Sequence, residues 1–161
     1  MELKGFSLFL RRWLPVALWA GLVLYASTGV GSGDHTDKFL KKILAWYYPD
    51  FPSTLIPEIN YYIRKTAHVL QFIIYAVLLW RGLILPPPLE VGTRRIVGWI
   101  IGSAVFLGFL SESIQLFSPL RTALFTDVLL DTAGAVVGCG LVLGVMRLSS
   151  KGPFRRACAS G

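Results

Sequence analysis

The chain has 161 residues, 54% of them apolar and 16% charged, with a net charge of +7, whereas an average soluble domain carries about 25% charged residues. This composition argues against an ordinary soluble globular protein. Charge falls in the termini and connections and leaves no separate basic domain, so a nucleic-acid partner is not expected.

Four apolar runs remain, roughly residues 13–30, 61–82, 96–117 and 124–146. Each is close to the length of about 20 helical residues that crosses about 30 Å of hydrocarbon. The expected fold class is all-α: an integral-membrane four-helix bundle over residues 13–148, between an N-terminal segment of residues 1–12 and a basic tail of residues 149–161.

The first span is expected to start near Trp13, with Pro15 in its opening turn, and to end in the run 27–33. A proline costs a helix least in that first turn. Arg11 and Arg12 before an apolar stretch suggest a signal peptide, but the stretch is longer than a usual h-region. Leu24-Tyr25-Ala26 is also a poor cleavage site, so the segment reads as a retained helix. Residues 31–60 form too long a connection for a simple turn. Phe39, Leu40, Ile43, Leu44 and Tyr47 share one helical face, Lys38, Lys41 and Lys42 another, and Trp46, Tyr47 and Tyr48 suit a headgroup layer. Two readings fit: an interfacial helix on the outer leaflet, or a short helix capping the bundle, with Pro49 as its stop in either case.

The second span opens after Pro57 with Tyr61 and Tyr62 and runs to Trp80 and Arg81, before Pro86, Pro87 and Pro88 break the chain. The third runs from Arg94 and Arg95 to Phe117, with Pro119 beyond it. The fourth starts near Asp127 and ends before Arg147. Gly98 and Gly102, Gly134 and Gly138, and Gly140 and Gly144 are each four apart, which predicts close helix packing within one chain or in a homo-oligomer. Cys139 deep in a span and Cys158 in the tail do not suit a disulfide.

Basic residues set the expected orientation. With the N-terminus inside, Lys4, Arg11, Arg12, Arg81, Arg94, Arg95, Arg147, Lys151, Arg155 and Arg156 are cytoplasmic, ten of the sixteen, alongside only Glu2 and Glu90. The other seven acids fall on the outer side with Lys38, Lys41, Lys42, Arg64, Lys65 and Arg121. The positive-inside rule then favours both termini in the cytoplasm.

Charged side chains at the centre of a membrane helix cost about 2.5 to 3.5 kcal/mol, so those within the spans need partners, water or a function. The second span carries Lys65, His68, Gln71 and Tyr75, the third Ser111, Glu112 and Gln115, and the fourth Asp127 and Asp131. At 100° per residue, His68, Gln71 and Tyr75 lie within about 60° of one another and the two aspartates about 40° apart. In an up-and-down bundle, Lys65, His68, Glu112, Gln115, Asp127 and Asp131 all arrive within roughly 12 Å of the outer interface. Arg121, in the turn between the last two spans, belongs at the same level.

The ordered set Lys65-x-x-His68 with Tyr75, then Glu112-Ser-Ile-Gln115 followed by Arg121, then Asp127-Val-Leu-Leu-Asp131-Thr-Ala-Gly134, resembles the VanZ-like family of small bacterial membrane proteins over about residues 10–148. The family usually has Asn where this chain has Asp131. The resemblance implies a multi-pass protein of a bacterial inner or plasma membrane. It also implies a setting: the founding member is associated with resistance to teicoplanin, a glycopeptide with a fatty-acyl tail that acts on cell-wall precursors at the outer face.

Three readings of the polar set follow. In an enzyme acting on a lipid or lipid-linked envelope precursor, His68 serves as general acid or base, with Glu112 and Asp127 holding or activating it. Lys65 and Arg121 then bind a phosphate or carboxylate headgroup, Gln115 orients the substrate, and Asp131 lies beside them. A metal variant would use His68, Glu112, Asp127 and Asp131, but the spacing matches no recognised metal motif. No ligand set or cofactor is therefore assigned. A binder or transporter would use the same groups to hold an amphiphile without breaking a bond. A structural network would have Lys65 and Arg121 neutralise the carboxylates.

Overall fold

The computed structural model describes residues 2–28, 33–48, 51–84, 92–117 and 125–150. Their regular structure is helical: α1 (Glu2–Ser27), α2 (Gly33–Tyr47), a single 3-10 turn (Ser53–Leu55), α3 (Ile56–Ile84), α4 (Thr93–Leu116) and α5 (Phe125–Ser150). Four stretches are long and apolar enough to cross a membrane: Phe6–Ser27, Ser53–Ile84, Thr93–Leu116 and Phe125–Ser149. They are the four expected spans, each somewhat longer than the apolar run that announced it.

α3 is the hub, packing on α1, α2, α4 and, most extensively, α5. The apolar core is Phe72, Ala76, Leu79, Trp80 and Leu83 of α3 against Ile96, Ile100, Ala104 and Leu107 of α4, Ala135 and Cys139 of α5, and Val16 and Val23 of α1. Large apolar side chains such as Leu18, Phe106, Leu129 and Leu141 point outward and exposed. In water such a surface would promote aggregation; against lipid tails it is the solvent-matched face.

The α3–α5 interface is close because glycine permits it. A Cβ on Gly134 would sit 2.5 Å from the Val69 carbonyl oxygen, and one on Gly138 would sit 2.8 Å from both the Ile73 carbonyl oxygen and the Ala76 Cβ. The other two glycine pairs behave differently: a Cβ at Gly98, Gly102, Gly140 or Gly144 meets nothing within 4 Å. Spacing alone could not separate these cases, because it marks small-residue faces without saying which of them meets a neighbour.

α1 departs most from expectation. It begins at Glu2 rather than near Trp13, which puts Pro15 inside the helix instead of in its first turn. Proline has no N–H, so the carbonyl four residues earlier, that of Arg11, loses its helical donor. Arg81 Nη1 of α3 donates to the Arg11 carbonyl at 3.3 Å. Beside it, a Cβ at Gly82 would lie 3.2 Å from the Arg12 carbonyl oxygen, so the missing side chain lets the two helices meet. A neighbouring helix thus satisfies the group that proline frees. Arg81→Leu is expected to lower stability by about 1 kcal/mol. In a Pro15→Ala background, where Arg11 regains its own donor, the same change should cost little; a double-mutant cycle by equilibrium unfolding in detergent measures the difference.

α2 is helical as expected and packs on α3. Its Leu40 and Leu44 are half-buried, whereas Phe39, Trp46, Tyr47 and Tyr48 remain exposed. Pro49, Pro86, Pro87, Pro88, Pro119 and Cys158 lie outside the described residues. At the other boundaries, α3 starts at Ile56 and takes Pro57 into its first turn, where proline is tolerated, and α5 continues past Arg147 to Ser150.

Candidate functional site

α3 carries Lys65 and His68 in its first half, α4 carries Ser111, Glu112 and Gln115 in its last two turns, and α5 carries Asp127 and Asp131 in its first two. Antiparallel packing brings these three stretches to the same end of the bundle. The face holding them is turned inward: His68 is 9% exposed, Glu112 6%, Asp127 2%, and Gln115 and Asp131 0%. An exposed charged face would need no partners; this one does, and the structure supplies several of them.

His68 is held through Nδ1, which lies 3.0 Å from Asp131 Oδ1. Its Nε2 faces Asp127 Oδ2 at 3.9 Å. The other oxygen of Asp127, Oδ1, forms an ion pair with Lys65 Nζ. Gln115 Nε2 donates to Glu112 Oε1 at 3.0 Å, one helical turn away on the same face. Glycine again makes room: a Cβ at Gly108 would fall 3.1 Å from Asp131 Oδ2, so a side chain on that turn of α4 would press on the carboxylate. Among the described residues, Asp131 Oδ2 and Gln115 Oε1 are buried with no hydrogen-bond partner. Buried polar atoms are rarely left so without water, an ion or a ligand to meet them.

One donor atom each from His68, Glu112 and Asp127 lie within 4.8 Å of one another. The cluster holds three buried carboxylates and one half-buried ammonium. Removing charges from water costs several kcal/mol per ion, and pairing recovers that only with good geometry. The arrangement therefore suits a cation, a shared proton or a polar substrate atom held between its oxygens.

A groove of about 480 Å³ begins at Lys65, between the second and third turns of α3 and the start of α5, lined by Tyr61, Tyr62, Thr126, Leu129 and Leu130. A second groove of the same size shares Tyr62 and continues along α3 past Ile59, Ile63, Thr66, Ala67 and Leu70. Lys65 thus stands at the junction of a polar interior and an apolar outer track. Its Nζ also sits 5.4 Å from the Tyr61 ring centroid, within cation–π range.

Six of the seven residues singled out in the sequence, Lys65, His68, Glu112, Gln115, Asp127 and Asp131, come together here. The seventh, Arg121, lies outside the described residues. Tyr75 is buried in the apolar core with its ring edge-on to Phe72 at 6.1 Å. Near Gln71 the interhelical hydrogen bond is made by its backbone carbonyl, which accepts from Trp19 Nε1 at 2.9 Å.

Sequence reasoning passed over Ser27 and Asn60, both buried, at 4% and 5%. Ser27 donates its hydroxyl proton to the Val23 carbonyl at 2.8 Å, so in the 2.6 Å contact between the hydroxyls of Ser27 and Ser111, Ser111 is the donor. This contact ties the C-terminal end of α1 to the helix carrying Glu112. The missed signal was level: Ser27 ends α1 at the height where Ser111 and Glu112 approach the end of α4.

The VanZ/LLP1 family model matches residues 12–147. No curated protein and no solved structure matches the chain.

Proposed function

This chain belongs to the VanZ/LLP1 family of membrane proteins, and from that membership and the site geometry we propose that it acts on the polar headgroup of a lipid or lipid-linked cell-envelope precursor at the outer leaflet. The observation that carries this reading is the position of Lys65. Its ammonium pairs with the buried Asp127 and also lines the apolar groove beside Tyr61 and Leu129. An amphiphile laid along that groove would place its acyl chain on Leu129, Leu130 and Ile63 and its headgroup at Lys65.

Inside the lip, His68 is the group suited to proton transfer, since an imidazole can both give and accept a proton through its ring nitrogens and Asp131 holds its Nδ1. Glu112 and Asp127 flank it, and Gln115 orients Glu112. The outer-leaflet assignment rests on charge. Arg11, Arg81, Arg94, Arg95 and Arg147 fall at the opposite end of the spans from the cluster, and a basic end belongs in the cytoplasm. That setting is a bacterial inner or plasma membrane, where interception of an acylated glycopeptide such as teicoplanin is the matching resistance role.

Two experiments test the reading. In a background without Cys139 and Cys158, Ser53→Cys should react with a membrane-impermeant thiol reagent on intact cells, and Gly92→Cys should react only after lysis; the reverse pattern places the site at the cytoplasmic leaflet. Lipid extracted from the purified protein should be enriched in one headgroup class relative to the host membrane. Thr126→Trp, which fills the groove without altering the cluster, should abolish that enrichment. A lipid profile identical to the bulk membrane sinks the proposal. A retained lipid that wild-type protein never converts would instead favour a non-catalytic binder, for which the apolar groove is sufficient.

A further inference from the structure

We propose that His68, Glu112 and Asp127 bind one divalent first-row transition-metal ion, with Asp131, Gln115 and Lys65 as the residues that position the three ligands. The inference stands on the geometry of the cluster and does not need the headgroup reading.

The donor atoms come from three helices, α3, α4 and α5, and lie within 4.8 Å of one another. Metal–ligand bonds of about 2.0 to 2.2 Å put neighbouring donors of a tetrahedral site about 3.4 Å apart. Closing the difference takes at most about 1.4 Å per pair, shared between two side chains.

The placement of the carboxylates around the imidazole makes the same point from a second direction. When the Asp131 carboxylate accepts through Oδ1, which lies 3.0 Å from Nδ1, the ring hydrogen of a neutral His68 sits on Nδ1. Its Nε2 is then the unprotonated nitrogen, with Asp127 Oδ2 3.9 Å away. Two acceptors facing each other in a low-dielectric interior repel unless a cation or proton lies between them. A carboxylate that holds one imidazole nitrogen so that the other faces a metal is the usual outer support of histidine ligands.

Each of the other ligands has a support of its own. Lys65 occupies Asp127 Oδ1 and leaves Oδ2 facing His68. Gln115 donates to Glu112 Oε1. The amide oxygen of the same Gln115, 0% exposed and without a hydrogen-bond partner among the described residues, is one more neutral oxygen beside Glu112 for a metal-bound water to meet. An imidazole with two carboxylates selects zinc, manganese or iron over the harder magnesium and calcium, which prefer all-oxygen sites.

The test uses tag-free, full-length protein in detergent, treated with EDTA, dialysed, and titrated with Zn²⁺, Mn²⁺ or Mg²⁺ while bound metal is counted by elemental analysis. One Zn²⁺ or Mn²⁺ per chain is expected, resistant to competing Mg²⁺, with a rise in thermal midpoint on binding. Cobalt(II) should give visible bands characteristic of a nitrogen and oxygen ligand set. His68→Gln and Glu112→Gln should lose the ion and the bands. Asp131→Asn, which keeps an oxygen acceptor for the imidazole, should bind about 10- to 100-fold more weakly and shift the bands. If the metal-free variants unfold, the wild-type cobalt spectrum and stoichiometry still decide the matter. Absence of stoichiometric metal in the wild type, or equal binding by folded His68→Gln, overturns the site and leaves a shared proton as what lies between His68 and Asp127. Lipid retention is measured on the same samples, so loss of the headgroup reading is seen separately from loss of the metal.

Discussion

Lys65→Met, in metal-free protein, is expected to destabilise the fold by about 3 to 5 kcal/mol, the range for removing one partner of a buried ion pair. The substitution keeps the length and most of the volume of the side chain, so the loss is electrostatic rather than a cavity effect. It strands Asp127, which is 2% exposed, beside the buried Asp131 and Glu112. Converting Asp127 to Leu in the same protein should recover most of the loss, because a buried pair replaced by well-packed apolar groups is often neutral. Equilibrium unfolding of the single variants and the double variant measures both. Near-zero loss in the single variant would mean that the carboxylates are already neutralised without Lys65, and the ion pair would not be what holds α3 to α5 at this end.

Gly134→Leu is expected to be comparably severe for a different reason. A Cβ alone would press to 2.5 Å on the Val69 carbonyl oxygen, and backbone does not yield as a flexible side chain does. Overpacking costs about 1 to 3 kcal/mol where neighbours can shift, and more where they cannot. Because α3–α5 is the most extensive interface and also aligns His68 with Asp131, Gly134→Leu should lower stability and any ligand or metal affinity together. Gly140→Ala, six residues along the same helix but facing open space, should leave stability unchanged or raise it by up to about 1 kcal/mol through helix propensity. Thermal unfolding of the two variants side by side gives the comparison, and equal effects would remove the close α3–α5 approach as the cause.

The difference between these two glycines shows where sequence reading stops. Gly134 and Gly140 stand in the same helix, each with a partner four residues on, and only the placement of α3 against one face of α5 distinguishes them. Pro15 makes the same point. The apolar run suggested a start at Trp13, but Glu2 to Arg12 continues the helix, and the carbonyl that proline leaves without a donor is met by Arg81 from α3. A contact made 70 residues away has no local signature.

The polar site was more legible. Ionisable residues in an apolar run are costly, so their presence alone singled out Lys65, His68, Glu112, Asp127 and Asp131, and helical periodicity with up-and-down topology placed them at one level. The amino-acid sequence by itself therefore determined the helical class, the four spans, the family and the membership of the cluster, because the cost of charge in hydrocarbon and the 3.6-residue repeat act locally. Only the tertiary structure decided the pairings: Asp131 rather than Asp127 on His68 Nδ1, Lys65 on Asp127, Gln115 on Glu112, and Ser27 reaching Ser111. Those choices depend on angstrom-scale helix rotation and approach, which the glycines at 108, 134 and 138 permit and which packing of all four spans sets together.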